Sequence, residues 1–317
     1  MYVIFGKVQF RFIYAIYNLT EIFTQSYQIT DCSSLKQQWV RTKKSTMETA
    51  SFKLEISEGY KFRKLVEYIK NSTVNGNFIF TADTIRYTQE NDEGTILNDV
   101  VLNKCDLPSY SVSPEDASIV CGINTMTLKI VSRVNKPDGI RIEKEADENK
   151  LMIQLLNNAR GPTNFHSYTL NNYPLVEFNV EEYENDENHP NFIMPIVEFL
   201  RVCGDIGAID CTSMSIQTYP AGLNVLVDNK LDGITSSFPM GDPNDEEDNI
   251  INEIPIEKST IKTLTKINGL SEKGNIKFYF QKGLPIKLLC LISCFGVLRI
   301  YLRAPKEDSR KRKKKTA

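Results

Sequence analysis

The chain is poor in the residues that metal and nucleophilic chemistry usually require. It has 2 histidines, His166 and His189, in 317 residues. Neither has a second metal-type side chain at ligand spacing, so a histidine-based metal site or a Ser/His/Asp triad is not expected. The 7 cysteines are odd in number and form no CxxC pair. That fits a reducing intracellular compartment better than a disulfide framework. Cys290 and Cys294, four residues apart, read as small hydrophobes packed on strands. Long apolar runs are also missing. The aromatic opening at 1–19 is broken by Lys7 and Arg11, too short and too charged for a membrane span. It lacks the order of regions expected of a signal peptide.

What remains is ordinary material for a globular protein, 41% hydrophobic and 25% charged. The length allows two domains with real cores. The formal net charge of −2 hides a division. Residues 306–317 hold seven basic against two acidic side chains, and residues 1–46 hold six against two. The body between them is therefore strongly acidic. Such a body suits nucleic acid only if its positive charges gather on one face.

Residues 1–46 read as an extension, or as the product of an upstream start codon, outside the fold. From Met47 the pattern runs strand (52–56), helix (59–71), strands (77–81, 84–87, 95–102), helix (123–134) and strands (139–144, 150–156). In the first helix Phe62, Leu65, Val66 and Ile69 form an apolar stripe at helical spacing, with Lys61, Arg63, Lys64 and Lys70 off it. In the second, Ile123, Met126, Ile130 and Val134 share one face, Lys129 and Arg133 another. Residues 160–190 read as a connector punctuated by Pro, Gly and Asn, with an acidic run at 181–187. The order then restarts: a strand end (191–194), a helix (196–206), strands (208–217, 223–227), an acidic loop (241–248), a helix (257–268) and closing strands. Two halves with one plan indicate an internal duplication of α+β units.

The closing strands, 285–294 and 297–302, read as a hairpin with a tight Phe295–Gly296 turn, and Pro305 ends the ladder pairing. The hairpin and its Tyr301-Leu302-x-Ala304-Pro305-Lys306 ending resemble the C-terminus of the proliferating cell nuclear antigen (PCNA) family of sliding clamps. The likeness extends along nearly all of 50–308. Gly59-x-x-x-Arg63-Lys64-x-x-Glu67-x-x-Lys70 resembles the family's first helix. Met194-Pro195-x-x-Glu198-Phe199-x-Arg201-x-Cys203-x-Asp205 resembles its third, Thr265-Lys266 the end of its fourth, and Leu284-Pro285 the start of its last hairpin. Three departures stand out. Arg303 is inserted in the Tyr-Leu-Ala-Pro ending. Gly204 stands where a second basic residue is usual. The connector carries Tyr183-Glu184-Asn185 instead of an apolar tip.

The resemblance implies a DNA-clamp fold, α+β, with two similar domains of antiparallel sheets, each with two pore-lining helices, closing into a pseudo-six-fold trimeric ring. It implies an N-terminal domain at 47–165, a connector at 166–189, a C-terminal domain at 190–306 and a basic tail at 307–317. It also implies a non-enzymatic processivity factor for DNA replication and repair that encircles duplex DNA, needs no cofactor and works with a DNA polymerase and a clamp loader. Arg63, Lys64, Lys70, Lys129, Arg133, Arg201, Lys262 and Lys266 would face phosphates without reading bases. Taken singly, each of these is equally an ordinary solvated helix residue. Ile96, Tyr183, Pro285, Tyr301, Ala304 and Pro305 would line an apolar groove for partner proteins carrying a clamp-binding motif. Alone, Pro285 and Tyr301 also read as turn and core packing. The run at 310–315 suits a nuclear-localisation signal, a DNA-touching arm or a solvated tail, and the expected location is the nucleus or a viral replication site. Two alternatives stay open: a checkpoint-type subunit of a hetero-trimeric ring, and a metal-dependent nuclease built on the acidic loops. The second would need carboxylates converging from strand ends, and in the 241–248 loop nothing fixes ligand geometry.

Overall fold

The computed structural model describes residues 50–305, apart from 115, 158–160, 177–186, 230–232, 244–248 and 272–273. The expected extension (1–46), the basic tail (307–317), Tyr183 and most of the acidic loop lie outside the described residues. The first half runs β1 (Ala50–Ile56), α1 (Gly59–Ser72), β2 (Asn75–Phe80), β3 (Thr84–Glu90), β4 (Ile96–Asn103) and β5 (Ser109–Val112). It continues with β6 (Ile119–Asn124), β7 (Gly139–Glu145), β8 (Lys150–Asn157), β9 (Gly161–Pro162) and β10 (His166–Thr169). The second half opens with β11 (Phe192–Pro195), α2 (Ile196–Ala208), β12 (Ser213–Tyr219), β13 (Ala221–Asn229) and β14 (Ile234–Asp242). It closes with β15 (Asn252–Ile256), α3 (Lys258–Leu264), β16 (Asn275–Tyr279), β17 (Ile286–Ile292) and β18 (Gly296–Leu302).

These strands make three sheets whose pairings are antiparallel. One has the order β10-β8-β7-β1-β5 with β9 beside β8, and the smallest has the order β14-β13-β12-β15. The largest, β11-β16-β17-β18-β4-β3-β2-β6, takes strands from both halves. They meet where β18 lies antiparallel to β4, in register from Gly296 opposite Leu102 to Leu302 opposite Ile96. A Cβ at Gly296 would sit 2.8 Å from Val101 O, a backbone atom of β4, so glycine lets the strands close at that end without strain. The two halves thus share one continuous sheet.

The helices lie against the sheets through their apolar stripes. In α1, Phe62, Leu65, Val66 and Ile69 are all buried, as their spacing predicts. Lys61, expected off the stripe, is buried as well. A polar link pins the same helix to the large sheet: the Tyr68 hydroxyl donates to Asn98 Oδ1 at 2.6 Å, and Asn98 Nδ2 donates to Ser72 Oγ at 2.6 Å. In α2, Ile196, Phe199, Val202, Cys203 and Ile206 form the buried face.

The expected helix at 123–134 is corrected by the structure. Residues 119–124 are strand β6, and two 3-10 turns succeed it, Thr125–Thr127 and Val131–Arg133. Short polar side chains divert the backbone here. Asn124 Oδ1 accepts from Met126 N at 3.0 Å, Thr127 Oγ1 donates to Asn124 O at 2.7 Å, and Ser132 Oγ donates to Lys129 O at 2.7 Å. Met126, expected in the apolar face, is exposed. The expected 257–268 helix is shorter too, running through α3 into a 3-10 turn at Thr265–Ile267. The strand expected from residue 208 begins at Ser213, because α2 continues to Ala208. Cys290 is buried, but Cys294 lies in the β17–β18 turn and is exposed, contrary to the packed pair expected.

The segment after β10 crosses the large sheet from one edge towards the other. Asn171 bridges Gly122 on β6, its N–H donating to Gly122 O at 2.8 Å. Asn77 of β2 donates from Nδ2 to Tyr173 O and Pro174 O, both at 3.1 Å. Val176 packs on Leu97 of β4 and Tyr301 of β18. Beyond the undescribed residues, Glu187 engages Lys287 of β17 and Arg299 of β18, and the Tyr279 hydroxyl of β16 donates to Glu187 O at 2.9 Å. The order of these contacts matches the order of the strands.

Candidate nucleic-acid interface

The helical elements that carry the predicted basic side chains pack against one another. α1 touches the 3-10 turns at 125–127 and 131–133 and also α3 with its 265–267 turn; α3 in turn packs against α2. The helical elements of both halves are therefore neighbours in one row. The N-terminus of α1 is set by glycine: Gly59 N donates to Asp138 O at 3.1 Å, and a Cβ there would lie 2.6 Å from that oxygen.

The candidates differ in how their charge is held. Arg63 Nε meets Glu67 Oε1 at 2.7 Å and Lys64 Nζ meets Glu67 Oε2 at 2.8 Å, so two half-buried cations share one carboxylate. Burial raises the Glu67 carboxyl, but hydrogen bonds from Lys64 and Arg63 outweigh it and the net shift is downward. Arg63 Nη1 also donates to Val134 O at 3.1 Å. On α2, Arg201 pairs loosely with Asp205 at 3.3 Å, both well exposed. Lys70, Lys129, Arg133, Lys262 and Lys266 are exposed. Among the described residues, Lys70, Lys129, Lys262 and Lys266 form no ion pair. Sequence reasoning missed Tyr60 and Lys136. The Tyr60 ring has Arg63 Cζ at 5.8 Å, Lys64 Nζ at 5.5 Å and Lys136 Nζ at 5.9 Å from its centroid. The basic residues that follow Tyr60, at Lys61, Arg63 and Lys64, were the only hint.

The groove candidates are divided between the two faces of the large sheet. Tyr301 of β18 stands opposite Leu97 of β4, and those two form a satellite cluster with Val176. Ile96, the predicted contact, is one residue out of phase: it points to the main core at 1% exposure. A strand turns alternate side chains to opposite faces, so Leu97 occupies the position expected of Ile96. Pro285 is half-buried, while Ala304 and Pro305 are exposed beside the end of β18. The same outer face carries a charge network. Asp99, 2% exposed, accepts from Arg86 Nε at 2.8 Å and Thr88 Oγ1 at 2.9 Å, and meets Arg299 Nη1 at 3.4 Å. Glu187 accepts from Arg299 Nε at 2.7 Å and from Lys287 Nζ at 2.6 Å. Burial pushes the Glu187 carboxyl up, but these two cations overcome it and hold it at about 2. Burial pushes the Tyr301 hydroxyl well above its ordinary range.

Among the described residues no three His, Cys, Asp or Glu side chains converge as metal ligands. The buried thiols Cys121, Cys203 and Cys290 are each pushed up to about 12 by burial, so they are inert packing groups rather than nucleophiles. No described helix is long and apolar enough to cross a membrane.

No family model matches the chain, and no curated protein does. Among solved structures it is similar to the crystal structure of Proliferating Cellular Nuclear Antigen from Entamoeba histolytica. The two share 16% sequence identity at a TM-score of 0.65, over 81% of this chain and 99% of that one. A likeness at that identity speaks to backbone architecture, and on that measure this chain has the clamp fold of proliferating cell nuclear antigen.

Proposed function

We propose that this protein is a sliding clamp: three copies close into a ring around duplex DNA and tether a DNA polymerase as a processivity factor, with no bond made or broken. The observation that carries the reading is the set of neighbouring helical elements from both halves, with exposed basic residues on or beside them, in a body (residues 47–305) that is otherwise acidic. In this reading Arg63, Lys64, Lys70, Lys129, Arg133, Arg201, Lys262 and Lys266 meet phosphates. Such contacts are screened, non-specific and weak, which permits sliding. Residues 47–165 and 190–306 are the two domains, 166–189 the connector. Leu97, Tyr301, Pro285, Ala304 and Pro305 border a groove that takes an apolar anchor from partner proteins, the clamp loader among them.

The test is solution mass by light scattering on the full chain, followed by loading onto nicked circular DNA. A mass three times that of the chain, with protein retained on closed circles and shed on linearisation, is the expected result. A monomer across micromolar concentrations removes the self-closing ring and favours a hetero-ring subunit. Divalent-dependent cleavage of the DNA removes the clamp altogether.

A further inference from the structure

Tyr60 sits at the start of α1, half-buried, with three cations around its ring. Two come from the next turn of the same helix. The third, Lys136, comes from the turn before β7, outside every helix. Like charges do not gather without cause. Glu67 offsets part of the repulsion between Arg63 and Lys64, and the negative face of the ring supplies a further attraction that acts on all three. The long side chains are also held along their lengths. Arg63 is tied to Val134 O, and a Cβ at Gly269 would lie only 3.2 Å from Lys64 Cγ, so the lysine stem runs directly over that glycine. A cation already held in place loses less rotamer freedom when it meets a phosphate than a lysine waving in solvent does.

We propose that Tyr60 is a positioning residue that gathers Arg63, Lys64 and Lys136 into one phosphate grip at the start of α1, the strongest point of contact with the DNA backbone. This rests on the clamp reading above. Lys136 joins the DNA-facing set, although it lies beyond the helices that define that set in the sequence. The contact is to phosphate and carries no base preference.

The test uses the full chain and a fluorescein-labelled duplex of mixed sequence, with anisotropy read across about 50 to 200 mM salt. Tyr60→Leu is expected to weaken binding roughly three-fold or more at the low-salt end, and Tyr60→Phe, which keeps the ring, to bind as the natural protein does. Lys136→Ala is expected to reduce the slope of log affinity against log salt by about 0.9, the loss of one phosphate contact. Lys136 is exposed, so its variant reports even if Tyr60→Leu disturbs folding. Equal affinity for the Leu and Phe variants, or a natural slope for Lys136→Ala, overturns the grip and leaves the clamp reading standing. Absence of duplex binding by the natural protein at low salt overturns both.

Discussion

Arg299 of β18 stands directly opposite Asp99 of β4, and its guanidinium reaches that carboxylate at 3.4 Å while closing on Glu187 at 2.7 Å. One side chain thus joins both halves of the molecule and the segment that links them.

The first prediction concerns Glu187. Its carboxyl is held at about 2 in the folded chain, below the ordinary value of 4.5. A depressed carboxylate contributes stability that is present above its unfolded value and is lost as pH falls through the folded one. The contribution therefore disappears between about pH 5 and pH 2. The side chain is 39% exposed, so solvent screening reduces the stabilisation to about 1 to 2 kcal/mol. Glu187→Gln is expected to unfold at lower denaturant than the natural protein at pH 7 and to match it more closely at pH 3. Urea titrations at the two pH values check this. A constant difference would place the stabilisation elsewhere.

Gly204 invites a gain. It lies on the exposed side of α2, and a Cβ built there meets nothing within 4 Å. Gly204→Lys is expected to raise stability by about 0.5 to 1 kcal/mol, the ordinary cost of glycine inside a helix. In the clamp reading it also adds a second basic residue beside Arg201 and steepens the salt dependence of duplex binding by about 0.9. Thermal unfolding checks the first effect and anisotropy the second. They can fail separately.

Gly122 predicts a loss. A Cβ there would stand 2.0 Å from Asn171 O, a backbone atom that cannot swing aside. Gly122→Ala is expected to break the Asn171 bridge, with amide exchange rising at Asn171 while the β17–β18 amides stay protected. Hydrogen exchange resolved by peptide measures both. Unchanged exchange at Asn171 would mean that the segment tolerates displacement.

The paired variant Lys262→Ala with Lys266→Ala removes two exposed cations from the part of the helical row between α1 and α2. Duplex affinity is expected to fall and the salt slope to flatten by about 1.8, while chemical stability changes little because neither residue is buried. A variant with natural DNA binding and natural stability would mark these two as ordinary solvated lysines.

The elements with strong helical periodicity were legible. Phe62, Leu65, Val66 and Ile69 lie buried as their spacing requires, and the 196–206 stretch forms α2 with two further residues. The 123–134 stretch misled because its apolar spacing satisfied a helix while Asn124, Thr127 and Ser132 offered the backbone other partners. Strands β5, β14, β15 and β16 escaped notice for a different reason. They are short or mostly polar on one face, as in the exposed pattern of Ile234–Asp242. An apolar run gives no phase, so the sequence does not distinguish Ile96 from Leu97: both are buried, one by the core and one by the crossing segment. Tyr60 and Lys136 are far apart in sequence, and only the fold brings them to one ring.

The β4–β18 junction has a mechanical consequence. Ladder bonds in an antiparallel pair run perpendicular to the strands. Tension along the strands would therefore act across those bonds and load the register pairs from Gly296–Leu102 to Leu302–Ile96 in parallel. Sheared in that direction the strands yield together, whereas tension across the sheet opens the ladder pair by pair from one end, and Val176, packed on Leu97 and Tyr301, lies over the same junction.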